Sequence, residues 1–279
     1  MAIVTLADIL KDAKENKYGV GMFNTVNLEM ARAVIGAAEE ENSPVIIALA
    51  EVHIPYGDLN TLAPIMVKFA KEAKVPVAVH LDHGMSFELI LKAMQSGFTS
   101  IMYDGSTLSY EENIEKTREI VKIAHTLGIS VEAELGHVGG AEGGNEDGHE
   151  TYYTKIEEAG EFVQRTGIDA LAVAIGTAHG EYKVKPKLDI NRLRDIHNVV
   201  SAPLVLHGGS GLSDDDFRNC IENGISKVNV FTDMSIAALN AIADRPKKTS
   251  YPDLINLTME AIKAEVASKI RLFGGSNRA

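Results

Sequence analysis

The chain has 279 residues, 45% of them hydrophobic and 24% charged, enough apolar matter for one large domain or two small ones. A formal net charge of −12 with no basic stripe argues against nucleic acid or an anionic membrane as a partner. It leaves room for an anionic substrate in a local pocket. The single cysteine, Cys220, rules out a disulfide framework within the chain and fits a reducing cytoplasm. It sits in a helical pattern with Phe217, Ile221 and Gly224, as a buried structural thiol would. Met1 to Lys11 lacks a basic region followed by a long apolar run, and no apolar run reaches membrane-spanning length, so a cytoplasmic location is expected.

Thr5 to Glu15 has the spacing of a helix, with Leu6, Ile9, Leu10 and Ala13 on one face. Strand and helix then alternate. The expected strands are Tyr18–Phe23 ending at Asn24, Val45–Ala50, Val77–Leu81, Ser100–Tyr103, Ile129–Ala133, Ala170–Ile175, Pro203–Leu206 and Ser226–Val230. The expected helices between and after them are Leu28–Glu41, Leu62–Ala73, Phe87–Gln95, Glu111–Leu127, Ile156–Thr166, Ile190–Val199, Asp214–Asn223 and Ser235–Ala243. A long helix, Pro252–Phe273, closes the chain. The strands are short and apolar, as parallel strands covered on both faces must be. Eight such units, with no linker or composition break, predict a single (β/α)8 TIM barrel over residues 1–279, with an extra N-terminal helix and a long C-terminal one. Residues Gly136 to Thr154 are too rich in glycine and acid to join a core and read as a loop that is either functional or disordered.

Active sites of such barrels lie at the carboxyl ends of the strands. Those ends carry Asn24, Glu51 with His53, Asp82 with His83, Asp104, Glu134, His179, His207, and Asn229 with Asp233. A lone histidine is ordinarily a hydrogen-bonded surface or core residue. Here His83, His179 and His207 come from three strand ends, each followed by glycine, and three histidines with an open position are the pattern of catalytic zinc. Asp104 and Glu134 could hold a second cation or orient a ligand. The other histidines, His53, His80, His125, His137, His149 and His197, are expected to be structural or solvated. Gly208-Gly209-Ser210-Gly211 after the seventh strand and Phe231-Thr232-Asp233 after the eighth sit where this fold binds phosphate on backbone amides and helix N-termini. A divalent metal beside a phosphate cradle, with carboxylates at hand, suits making or breaking a C–C bond next to a ketone.

The chain resembles class II, zinc-dependent ketose-bisphosphate aldolases of the fructose-bisphosphate and tagatose-bisphosphate group. The motifs that carry the likeness span almost the whole sequence: Leu81-Asp82-His83-Gly84, Tyr103-Asp104-Gly105-Ser106, Glu111-Glu112-Asn113, Glu132-Ala133-Glu134-Leu135-Gly136, Gly139-Gly140, Ala174 to Gly180, Leu206 to Gly211, and Asn229 to Asp233. The resemblance implies reversible cleavage of a ketose 1,6-bisphosphate to dihydroxyacetone phosphate and an aldehyde such as glyceraldehyde 3-phosphate. It implies Zn2+ on His83, His179 and His207, an alternate metal position at Asp104 and Glu134, and a monovalent cation, Na+ or K+, near the phosphate site. It makes Asp82 the acid/base for the C4 hydroxyl and Glu142 the loop carboxylate that exchanges the carbon-bound proton, with Glu146 or Asp147 as alternatives. Asn229 holds the enediolate. Substrate and phosphate contacts fall to Asn24, Gly180, Gly208, Gly209, Ser210, Asn229, Val230, Thr232 and Asp233. A homodimer or homotetramer is expected, and the C-terminal helix could pack on a partner or on its own barrel.

The sequence also departs from this pattern. Ala50-Glu51-Val52-His53 stands where these aldolases often place a small hydroxyl residue near the aldehyde half. Glu51 there disfavours a second phosphate unless it points away. Phe231 is bulkier than many residues at its position, and a different, non-phosphorylated aldehyde is the alternative substrate. Arg245, Arg271, Arg278 or a neighbouring subunit could supply a distal phosphate ligand. A Schiff-base aldolase would need a lysine aimed into the barrel mouth, which neither Lys227 nor Lys183, Lys185 and Lys187 offers. A metal-dependent hydrolase would need paired histidines where the first strand has Asn24. A non-catalytic barrel subunit would have lost its ligands.

Overall fold

The computed structural model describes residues 2–139, 141–142, 145–146, 152–180 and 186–279, with side chains given outside residues 141–142 and 145–146. Eight parallel strands close into a barrel: β1 (Val20–Asn24), β2 (Val45–Ala50), β3 (Val77–Gly84), β4 (Ser100–Tyr103), β5 (Ser130–Leu135), β6 (Ala170–Val173), β7 (Leu204–Leu206) and β8 (Ile225–Val230). Each neighbours the next in sequence, and β8 pairs with β1. This is the (β/α)8 arrangement that the alternating pattern predicts.

Side-chain alternation sorts every strand into two faces. Val77, Val79 and Leu81 of β3 join the apolar layer between strands and outer helices, whereas Ala78 joins the barrel interior. The interior is apolar at its amino end, where Val20, Ile46, Ala78 and Ala170 meet α1 (Leu6–Asn16). That helix plugs the barrel floor with Leu6, Ile9, Leu10 and Ala13, all buried. A capping box between Thr5 and Asp8 starts it, and its Ala7 amide donates to Ser130 Oγ at 3.1 Å. Higher up, the interior turns polar. His80, Glu132 and Lys227 are fully buried halfway along their strands, and Ser100, which pairs with His80, is fully buried at the start of β4.

The long terminal helix, α10 (Tyr251–Leu272), lies on the flanking helices α2 (Leu28–Glu40) and α9 (Thr232–Ala243) of its own barrel. Several expected boundaries shift. β1 starts two residues later, where Tyr18 instead donates its hydroxyl to Asp12 at 2.8 Å. β6 ends at Val173, two residues early. The second outer helix begins at Leu59 rather than Leu62, because Asp58 caps it by accepting from the Thr61 amide. β3 runs to Gly84 instead of stopping at Leu81, and its extra residues carry the chemistry.

Candidate active site

In a regular strand, Asp82 and His83 would point to opposite faces. Leu81 pairs with Ile101 and Gly84 with Tyr103, so β3 spends one more residue than β4 between the two pairings. The bulge falls on His83, whose φ of 46° lies in the left-handed region that non-glycine residues seldom enter. The twist brings both side chains to the barrel mouth. Gly84 serves differently from the turn residue its position suggests. A Cβ there would lie 2.6 Å from the Met102 carbonyl oxygen and 2.8 Å from Ile90, so glycine lets the bulged strand lie close to β4 and to the helix Phe87–Gln95.

Asp82 is fully buried and held from both sides. Asn24 of β1 donates its amide to Oδ2 at 2.7 Å, and Asn229 of β8 donates to Oδ1 at 3.1 Å. Burial works against its ionisation, but the fields of His83, His207 and Lys227 outweigh it and hold the carboxyl well below the usual range. The site therefore presents a fixed carboxylate with one lone pair on each oxygen still able to accept.

His83, His179 and His207 bring one ring nitrogen each to within 4.8 Å of one another. His83 Nδ1 lies 2.8 Å from Asp104 Oδ2, and His207 Nε2 lies 2.9 Å from Glu132 Oε1. Each carboxylate accepts the N–H of its imidazole, which leaves a lone pair on the other ring nitrogen. Those inner nitrogens, His83 Nε2 and His207 Nδ1, are 2.8 Å apart. Two lone pairs aimed at one point, with His179 beside them, form a donor set suited to a divalent cation such as zinc. Burial pushes His179 and His207 below the ordinary histidine range, toward the neutral form in which imidazole ligates a metal. His83, Asp104 and Glu134 form a second group of this kind. Burial and the neighbouring Asp104 push Glu134 well above the carboxylate range. Asp104 is half-buried; desolvation works against its ionisation, yet hydrogen bonds from His83 and Ser106 hold it low.

Beside this cluster, Gly180, Gly208, Gly209, Ser210, Val230 and Thr232 line a small pocket with His179, Asn229 and Phe231. Gly208 is in the left-handed region at φ 64°, and a Cβ on it would lie 2.5 Å from the Ala178 carbonyl oxygen. Glycine is thus what allows the loops after β6 and β7 to meet. Asp233, expected among the substrate contacts, pairs with Lys269 of α10 at 2.6 Å.

The Glu142 backbone lies in a two-residue strand, Ala141–Glu142, paired with Asn145–Glu146. The side chains of Glu142 and Glu146, and Asp147 altogether, lie outside the described residues, as do Lys183 and Lys185. Glu51 does point away: its Oε2 accepts from the Met85 and Ser86 amides at 2.7 and 3.1 Å. The arginine candidates are elsewhere. Arg271 pairs with Glu41, just past α2, and Arg278 stacks 5.1 Å from the Tyr18 ring, both at the barrel's amino end. Arg245 donates to the Ile242 carbonyl at the end of α9.

The strand-end survey gives three groups no part in the site. Ser106 Oγ links Asp104 Oδ1, at 2.6 Å, to His137 Nδ1, at 2.7 Å. His53, expected in a loop, is fully buried with its ring centroid 4.0 Å from that of Phe231. Glu132 and Lys227 sit one inward step below Glu134 and Asn229, and their ionic groups are 2.8 Å apart. The available signal was a charge at the inward phase of an apolar strand.

The barrel mouth thus joins a three-histidine cluster, a clamped carboxylate and a glycine-lined pocket, an arrangement able to hold a divalent cation beside a carboxylate base. Comparison with known proteins agrees. Residues 4–278 match the family model "Fructose-bisphosphate aldolase class-II". The chain is 42% identical to a fructose-bisphosphate aldolase of Thermus caldophilus, covering 99% of this chain and 100% of that one. It is 42% identical to a probable fructose-bisphosphate aldolase of Bacillus subtilis, with both chains covered completely. The crystal structure of the YdjI aldolase from Escherichia coli K12 superposes with a TM-score of 0.91 at 39% identity, over 99% of each chain. The chain belongs to the class-II fructose-bisphosphate aldolase family, whose members are in general zinc-dependent, and it is an aldolase, a lyase that acts on carbon–carbon bonds.

Proposed function

We propose that the protein catalyses the reversible, zinc-dependent cleavage of a ketose 1,6-bisphosphate, of the fructose or tagatose type, to dihydroxyacetone phosphate and an aldehyde such as glyceraldehyde 3-phosphate. The observation that carries this reading is the Asp82 carboxylate, clamped by Asn24 and Asn229 beside three converging histidines. His83, His179 and His207 are the residues that would hold the metal, which when bound supplies Lewis-acid polarisation of the substrate ketone. The pocket of Gly180, Gly208, Gly209, Ser210, Val230 and Thr232 takes the phosphate of the dihydroxyacetone half on backbone amides. This seats the ketone against the histidines and the C4 hydroxyl against Asp82. Asp82, ionised and held in place, accepts the C4 hydroxyl proton as the C3–C4 bond breaks.

The bond's electron pair passes into the enediolate of the dihydroxyacetone phosphate half. Asn229 faces that half from the end of β8, with its amide already committed to Asp82, so the two residues act as one polar unit. Glu142 returns a proton to carbon. Asp104 and Glu134 offer a second divalent position around His83, and the phosphate loops a monovalent one. The pairing of Asp233 with Lys269 favours a supporting role for Asp233 at the start of α9 over direct substrate contact. With Glu51 turned onto the loop after β3, the aldehyde side of the mouth keeps room for a second phosphate. Replacing Asp82 by Ala should abolish cleavage of fructose 1,6-bisphosphate and tagatose 1,6-bisphosphate alike while zinc content stays at the parent level. Parallel loss of zinc and activity would overturn the assigned role.

A further inference from the structure

Beneath the histidine cluster lies a charged layer that the reaction itself does not use. Glu132, Lys227, His80 and His207 are all fully buried. One oxygen of Glu132, Oε1, accepts from His207 Nε2 at 2.9 Å. The other, Oε2, is 2.8 Å from Lys227 Nζ and 3.8 Å from His80 Nε2. His80 is tied in turn to Ser100 Oγ through Nδ1 at 2.9 Å. A buried ion pair is poor evidence of stability, because desolvating two charges offsets most of their attraction. An apolar pair of similar volume would fill the barrel at least as well, which directs attention to what the carboxylate touches.

That contact is the outer nitrogen of one histidine of the cluster. An imidazole has one N–H when neutral, and the partner of that N–H decides which nitrogen keeps a lone pair. A carboxylate only accepts, so Glu132 requires the proton on Nε2 and turns Nδ1 toward His83 and His179. Lys227 balances the carboxylate inside the barrel, and His80, held by Ser100, lies near the same carboxylate oxygen.

We propose that the Glu132–Lys227 pair is a positioning device that fixes His207 as an Nδ1 donor and sets its ring angle for the metal. The inference deepens the metal reading above and rests on it. Neither residue touches substrate. Asp104 holds His83 in the opposite sense, through Nδ1, so two histidines of the cluster are locked by different carboxylates from different strands. Glu132 and Lys227 come from β5 and β8, and this spreads the alignment of one ligand over the barrel wall.

The test compares the zinc-loaded parent with two double variants, Glu132→Leu/Lys227→Met and Glu132→Gln/Lys227→Met. The first removes the acceptor; the second keeps a carbonyl acceptor without charge. Zinc affinity is read by competition with a chromophoric chelator, and ligand geometry from the visible spectrum of the cobalt-substituted proteins. The leucine variant should bind zinc about ten- to a hundred-fold more weakly, with an altered cobalt spectrum. The glutamine variant should recover part of that loss. Parent-like affinity and spectrum in the leucine variant would overturn the proposal. Should that variant not fold, nitrogen-15 correlation spectra of the histidine rings in the parent decide the matter: a proton on His207 Nε2 is expected, and a proton on Nδ1 would overturn it. A parent that binds no zinc would instead remove the metal reading on which the proposal stands.

Discussion

Asp82 receives one amide from Asn24 and another from Asn229, residues of the first and last strands that close the barrel against each other. The clamp leaves the carboxylate no rotational freedom, so Asn24 serves orientation before it serves substrate. Replacing Asn24 by Ala deletes a hydrogen bond to a charged acceptor, worth about 1.5–3 kcal/mol. If that bond matters most when the proton moves, kcat should fall by about ten- to a hundred-fold with zinc content unchanged. Steady-state kinetics alongside metal analysis checks this, and an unchanged kcat would show that Asn229 alone suffices. The ligand histidines and Asp82 were legible in the sequence because the strand-end rule points straight to them. Glu132 and Lys227 were not, since they lie halfway down the barrel and the survey looked only at the strand ends. The pairing of Asp233 with Lys269 was also out of reach, because it joins residues of α9 and α10 whose contact depends on how the last helix folds back.

At the scale of elements, β3 shows how local irregularity makes a site. Apolar alternation predicts a strand that stops at Leu81, and the real strand continues through a bulge whose left-handed residue is His83. Residue type announces this only weakly: histidine enters the left-handed region more often than most non-glycine residues, but the great majority of histidines stay out of it. Such strain costs about 1–3 kcal/mol, and the packing around Gly84 must sustain it. The outer helices were easier to read, since caps such as Ser109 with Glu112 and Ser213 with Asp216 announce where they start. The floor and the mouth also separate cleanly. Leu10 of α1 is fully buried in the floor cluster, so Leu10→Ala should lower unfolding free energy by about 2–5 kcal/mol while kcat holds. Denaturant titration with a parallel assay tests that separation. Cys220, in the helix after β7, is fully buried among apolar neighbours, and burial pushes its thiol up to about 12. Its thiolate is therefore scarce below that pH in the folded protein, and alkylation at pH 8 should be negligible until denaturant is added. Rapid alkylation of native protein would contradict the packing described.

For the molecule as a whole, alternation of strand and helix was enough to give the closed barrel, because parallel strands covered on both faces and short connections leave few other arrangements. It could not show that α1 seals the barrel floor or that α10 lies along α2 and α9, since an amphipathic face does not name its partner. Nor could it show that the charge of the interior rises toward the mouth, a gradient that appears only once eight inward faces are stacked. The central claim is that this gradient ends in a metal-dependent C–C lyase. It is tested most directly by stripping the purified protein with chelator and titrating zinc back while following cleavage of fructose 1,6-bisphosphate. Activity should be lost on stripping and return in proportion to bound zinc, saturating near one ion per chain, and it should not return in His207→Ala. Full cleavage by the metal-free protein, with substrate trapped on a lysine by borohydride, would contradict the account.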